Sequence, residues 1–330
     1  MTSFGESVVT TEGPLPARQV VDLRQFGSSH LQELLEEEKR FWAEELQWDF
    51  NQTSTLIGSC LDARRLTGYV LLEDSTPLGY SFFVYEGSKA IIGNVFARLR
   101  ADRAEIARLL LRHVIETLQG TPGIDRIEAQ LPHFSLEEIF PSFEPNGFRA
   151  FGRQFMMHDL GSASSESVGL DGEIRFQGWE EKEESVMAAL IHEAYRGHVD
   201  SEINLQYRSR RGALQVIENV TRHRGCGVFE PGDSLVAVHA PSGVCCGGML
   251  VTSVGTSGSH IPQICVLPEF QGRRIGTALL YACFEKLRSR GHRQVSLTVT
   301  DENSDAIRLY ERLGFRTYRR FGAFVWHADK

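Results

Sequence analysis

The sequence predicts an α/β fold, an α+β arrangement on a mixed sheet, laid down twice along the chain. Three observations carry this. In the second half an apolar stretch, residues 261–266, opens through a Gly- and Arg-rich loop into an amphipathic helix. In the first half the helix pattern of residues 109–118 matches that of 278–287, and Asn146-Gly-Phe-Arg149 matches Leu313-Gly-Phe-Arg316. Between them lies a Gly/Ser-rich spacer, residues 161–170. A fixed order of matched segments on either side of a polar spacer is the mark of a duplicated unit.

Each element follows from local chemistry. Residues 33–45 form an acidic helix whose Phe41, Trp42, Leu46 and Trp48 fall among or just after its charges, which reads as an ordinary amphipathic helix with its aromatics packed inward, with an acidic, aromatic acceptor surface as the alternative. Residues 78–85 and 90–96 read as strands, like 244–251 and 261–266 in the second half. Residues 181–196 read as the first helix of the second copy. After the loop, Leu280, Phe284 and Leu287 share one helical face, with Leu279 and Cys283 beside them, and Gly291 stands at the stop. Val295, Leu297 and Val299 alternate with polar residues as a strand does. A second helix follows, capped near Asp301 to Asn303 and ended at Gly314.

With 330 residues the chain has room for two domains of about 150 residues each. The expected division is a flexible tail at 1–14, a first domain at 15–160, the linker at 161–170 and a second domain at 171–330. A net charge of −8 excludes a general nucleic-acid binder and fits a cationic acceptor, although a solvated acidic surface accounts for it too. The six cysteines include no C-x-x-C pair, and no His cluster has metal-ligand spacing, so no metal is expected. Residues 1–19 carry Glu6 and Glu12 and no apolar core, unlike a signal peptide, and no apolar run spans a bilayer. The expectation is a cytoplasmic monomer or homodimer with reduced thiols.

The loop itself is an anion site in outline. A strand that passes through Gly272 and Gly276 into a helix N-terminus leaves backbone N–H groups unpaired at the positive end of the helix dipole. Arg273 and Arg274 can add charge-assisted hydrogen bonds. The motif Gln271-Gly-Arg-Arg-Ile-Gly276 after Val266-Leu-Pro268, the helix Asn303-x-x-Ala306-x-x-x-Tyr310 and the closing Leu313-Gly314-Phe315 come in the order and spacing of one family. On these residues the chain resembles the GNAT superfamily of N-acetyltransferases. It departs at Arg274, where many members have Gly and some have Arg.

The resemblance implies direct transfer of an acetyl group from acetyl-CoA to an amine acceptor, a small molecule or a peptide. Backbone groups of Ile264, Cys265 and Val266 would pair with the pantetheine arm. Gln271, Gly272, Arg273, Arg274, Ile275, Gly276 and Thr277 would hold the pyrophosphate. Asn303, with Ala306 on the same helix, would help bind the cofactor arm. Tyr310 would protonate the leaving thiolate, a task a neutral phenol can perform. Members often place a Glu on the strand before the loop as general base. Here that strand offers only His260 and Gln263 as polar candidates. Asp200 and Glu202, in the cluster His198-Val-Asp200-Ser-Glu202, are further candidates for base or amine anchor.

Aligning the two helices sets Asp102-Arg-Ala-Glu105-Ile-Ala107 opposite the loop, with both glycines gone and two carboxylates where an anion would sit. The first copy is therefore expected to keep the fold and lack acetyl-CoA chemistry, with a divergent second cofactor site as the alternative. The layout is similar to mycothiol synthase-like members. A non-catalytic acyl-CoA sensor or scaffold is the competing function.

Overall fold

The computed structural model describes residues 17–162, 169, 172–223 and 226–328. The expected tail at 1–14, and all of the expected linker except 161, 162 and 169, lie outside the described residues. The first half runs β1 (Arg18–Asp22), α1 (Gln32–Glu45), α2 (Asn51–Asp62), β2 (Thr67–Glu73), β3 (Thr76–Glu86), β4 (Lys89–Ala97), α3 (Arg103–Gln119), β5 (Arg126–Leu131), α4 (Leu136–Phe143) and β6 (Arg149–Asp159). The second half runs β7 (Ile174–Gly178), α5 (Glu184–Ala194), α6 (Asp200–Ile203), α7 (Arg210–Arg222), β8 (Val228–Phe229), β9 (Leu235–His239), β10 (Val244–Ser253), β11 (Gly258–Val266), α8 (Ile275–Ser289), β12 (Gln294–Thr300), α9 (Ser304–Arg312) and β13 (Arg316–His327).

Thirteen strands of the described residues form one sheet in the order β1-β2-β3-β4-β5-β13-β6-β12-β11-β10-β9-β7, with β8 paired to β10 off this path. The equivalent elements of the two halves appear in mirrored order, so the path is the same from either end. At its centre the halves exchange their last strands. β13 inserts between β5 and β6 of the first half, and β6 pairs along its length with β12 of the second. Pairing all four through backbone hydrogen bonds removes two sheet edges that would otherwise be open.

The core divides by sheet face. In the second half α8 and α9 cover one face, where Leu279, Leu280, Phe284 and Leu287 are fully buried. α5 and α7 cover the other through Met187, Ile191, Ala213 and Ile217. Each of the Leu, Ile, Met and Phe side chains contributes about 1.5–3 kcal/mol on burial. The first half repeats the scheme with α3 and α4 on one face and α1 and α2 on the other. The aromatics of α1 pack inward as expected: Phe41 and Leu46 are buried, and Trp42 stacks on Phe50 at 4.8 Å. Among the described residues no helix is long and apolar enough to cross a membrane.

Candidate active site

The site begins where a parallel strand pair stops pairing. β11 and β12 are bonded from Gly258–Gln294 to Ile261–Leu297 and no further. The next residue is Pro262, which has no N–H to give to the ladder. Beyond it the two strands part. Ile264, Cys265 and Val266 remain paired with β10 on their other side, opposite Met249, Gly248 and Gly247. A cleft of about 870 Å³ opens at this fork.

The loop and helix that follow form one wall. Gln271, Gly272, Arg274, Ile275, Gly276 and Thr277 all line the cleft. No side chain caps α8, so its first-turn N–H groups have no capping acceptor and present the positive end of the dipole. Gly272 and Arg274 both adopt left-handed backbone, at φ 76° and 63°. For Arg274 this conformation costs about 1–2 kcal/mol, the physical reason a glycine suits the position. Arg273 does not line the cleft. It bonds Glu173 at 3.0 Å and lies over the Phe270 ring.

α9 forms the opposite wall. Asn303 caps it by accepting the Ala306 N–H at 3.3 Å, and both residues line the cleft. Tyr310, one turn on, is 8% exposed and faces the same space. Its ring packs near Phe315, and its hydroxyl makes no hydrogen bond to the described residues. Burial, with Asp200 and Cys265 nearby, raises the phenol well above its usual range and keeps it protonated.

The other end of the cleft is built from α5 and the turn into α6. Tyr195, His198 and Asp200 line it. Asp200 accepts from Arg153 at 3.1 Å and from the Thr300 hydroxyl. Its own N–H donates to His198 Nδ1 at 3.1 Å, so neutral His198 carries its proton on Nε2. Tyr195 Oη accepts from Gln263 at 2.8 Å, and Gln263 Oε1 accepts from Tyr207 at 3.2 Å. This network occupies the buried Gln263.

Besides Arg273, Glu202 and His260 also lie away from the cleft. Glu202 is paired with exposed Arg149 and borders a separate recess of about 360 Å³ that shares Tyr195 and His198 with the cleft. His260 is 7% exposed and does not line the cleft. Its ring lies against Trp48 at 5.0 Å and Phe155 at 6.1 Å, and burial lowers its pKa to about 3. Strand alternation explains its position: Ile261 faces the fork, so His260 faces the first half. Tyr195 of the cleft, and Arg153 and Thr300 that hold Asp200 from behind it, gave no clear signal in sequence. Tyr195 resembles any helix-end aromatic, Arg153 and Thr300 are distant in the chain, and only Pro262, a proline inside a strand, marked the fork.

The first half shows the same fork with different residues around it. β4 and β5 pair in parallel from Lys89–Arg126 to Ile92–Ala129. Beyond that, Phe96 and His133 meet at 5.5 Å, and Phe41 closes on His133 at 5.0 Å. At the start of α3, Asp102 and Glu105 both bind Arg18 of β1. The chain's own carboxylates thus hold the positions an anion would take.

Residues 225–315 match the acetyltransferase (GNAT) family. That span contains the fork, the loop, α8 and α9. Over that span the chain carries the pattern of the GNAT family of acetyltransferases. It is 49% identical over 57 residues to an uncharacterized N-acetyltransferase of Methanocaldococcus jannaschii, covering 17% of this chain and 25% of that protein. It is 52% identical over 48 residues to a mycothiol acetyltransferase of Thermobispora bispora, covering 14% and 16%. The chain thus matches a quarter or less of the length of these two relatives. The structure is similar to a tandem GNAT protein from the clavulanic acid biosynthesis pathway, with a TM-score of 0.59 and 15% identity, over 95% of this chain and 99% of that one. This likeness shows a shared tandem fold.

Proposed function

We propose that the chain transfers the acetyl group of acetyl-CoA directly to a primary amine of a small molecule or peptide, with the chemistry in the second half. One observation carries the proposal: a single cleft joins an uncapped helix N-terminus with a left-handed loop, a half-paired strand and a buried, protonated phenol. The residues fit the co-substrate. The α8 N–H groups and Arg274 suit a pyrophosphate, and the free side of Ile264 to Val266 suits a chain of amides. Gly276 leaves the approach open: a Cβ there would stand 3.6 Å from Leu309.

Acetyl-CoA supplies an activated acyl carbon and a thiolate leaving group. The amine nitrogen bonds to that carbon and the C–S bond breaks. Tyr310 gives its proton to the sulfur, and the second proton that the nitrogen sheds as the amide forms returns to Tyr310 by way of solvent. The amine arrives protonated and must lose a proton first. We assign that proton to Asp200 Oδ2, directly or through one water. Oδ1 is taken by Arg153 and Thr300, while Oδ2 lies 3.6 Å from His198 Nδ1, a nitrogen that already accepts the Asp200 N–H. His198 donates and orients. In this reading Glu202 and His260 hold structure, and Arg273 shapes the loop from behind.

The test is thiol release from acetyl-CoA with a broad amine panel, run beside calorimetric acetyl-CoA binding. Release with at least one amine supports the reading. Binding without release for any amine supports a cofactor sensor instead.

A further inference from the structure

The first half lacks an acetyl-CoA loop, yet its side chains grip one segment of the second. Residues 198–208 contain α6 and border both the cleft and the adjacent recess. Arg153 of β6 reaches Asp200 Oδ1 and Thr300 Oγ1, each at 3.1 Å. Arg126 of β5 donates to the carbonyls of Glu202 and, at 3.2 Å, Ile203. Glu128 accepts the Leu205 N–H at 3.0 Å, and Gln130 donates to Asn204 Oδ1 at 3.1 Å. Arg149 pairs with Glu202. Below them Ile203 packs on Phe151 of β6 and on Ala323 and Val325 of the exchanged β13.

Arg126, Glu128 and Arg153 are 2%, 7% and 8% exposed. Fixed charges buried this deeply, Arg126 and Glu128 tied to backbone atoms and Arg153 to the Asp200 carboxylate, impose one geometry on the segment they hold, because each lost partner leaves a desolvated group. A short helix of four residues could not hold itself.

We propose that the first half is the platform for acceptor recognition: β5 and β6 set residues 198–208, and Arg153 is the positioning residue that aims Asp200 into the cleft. None of these first-half residues lines the cleft, so acetyl-CoA binding is independent of them. The kinetic part of the proposal rests on the acetyl-transfer reading. The ordering of residues 198–208 does not.

The test uses the full chain with Arg153→Met, Arg153→Lys and the milder Gln130→Ala. Hydrogen exchange is read by mass spectrometry, acetyl-CoA affinity by calorimetry, and acceptor KM and kcat by thiol release. In Arg153→Met, amides of residues 198–208 should exchange about tenfold faster and acceptor KM should rise about tenfold. Acetyl-CoA affinity should stay within about twofold. Arg153→Lys keeps the charge and should recover part of both effects. Should Arg153→Met fail to fold, Gln130→Ala should show the same pattern at smaller size. Unchanged exchange in 198–208 overturns the platform. So does a change spread over α8 and β12 with lost acetyl-CoA affinity, which marks a general folding defect. If the wild type acetylates no amine, the function reading fails, while exchange and calorimetry still decide the platform.

Discussion

His260 offers the sharpest test of how the cleft is built, because the structure turns an expected base into a buried neutral ring. Its Nδ1 lies 2.9 Å from Ser296 Oγ, and that hydroxyl gives its one proton to the Ser259 carbonyl at 3.2 Å. The imidazole therefore donates from Nδ1, and any added proton would enter at Nε2 within an aromatic enclosure. Burial lowers its pKa to about 3, against about 6.5 in an unfolded chain. Between these values the unfolded state holds a proton that the folded state refuses. Stability from this group is thus complete above about pH 7 and falls as pH drops from 6.5 toward 3. At pH 5 the unfolded His lies 1.5 pH units below its pKa, and each unit is worth about 1.4 kcal/mol, so the loss is roughly 2 kcal/mol. In His260→Asn an amide N–H can still reach Ser296. Urea unfolding of both proteins at pH 7.5 and pH 5 should show the wild type losing roughly 2 kcal/mol more than the variant. Other titrating groups cancel in that difference. Equal losses would refute the burial argument. The variant should also keep its turnover within a few-fold where folded; a hundredfold fall in kcat without loss of stability would return His260 to the role of base.

Three further outcomes are expected. Tyr310→Phe should lower kcat by about 10²–10⁴-fold with acetyl-CoA affinity and melting temperature unchanged, since its hydroxyl bonds none of the described residues; steady-state kinetics and calorimetry check this, and unchanged turnover removes its acid role. Gly276→Glu should abolish acetyl-CoA binding in calorimetry while circular dichroism stays native, because the site has room for a Cβ at 3.6 Å from Leu309 but none for a second anion beside a phosphate; retained affinity rejects the loop assignment. Titration of the full chain should give one acetyl-CoA per chain, because Asp102 and Glu105 already occupy the charge of Arg18 at the first-half loop; two equivalents would mean a second cofactor site.

The strand-loop-helix chemistry was legible in the sequence because it is local. Glycines at 272 and 276, the alternation of 295–299 and the cap at Asn303 act within a few residues, and the structure has them as α8, β12 and α9. The matched helices of the two halves were legible for the same reason. What the sequence by itself determined was therefore the fold unit, its repetition, and the residues of the loop and of α9 that line the cleft. The remainder depended on contacts between residues far apart in the chain. Arg153 meets Asp200 across 47 positions, and Arg126 meets Ile203 across 77. Only the tertiary structure decided that β6 and β13 trade places, that His260 turns toward Trp48 rather than the cleft, and that Glu202 pairs with Arg149. The physical reason is that strand pairing depends on backbone groups every residue carries. No side-chain pattern in either half distinguishes a last strand that returns to its own sheet from one that crosses to its neighbour, and that crossing decides which polar groups meet at the α5 end of the cleft.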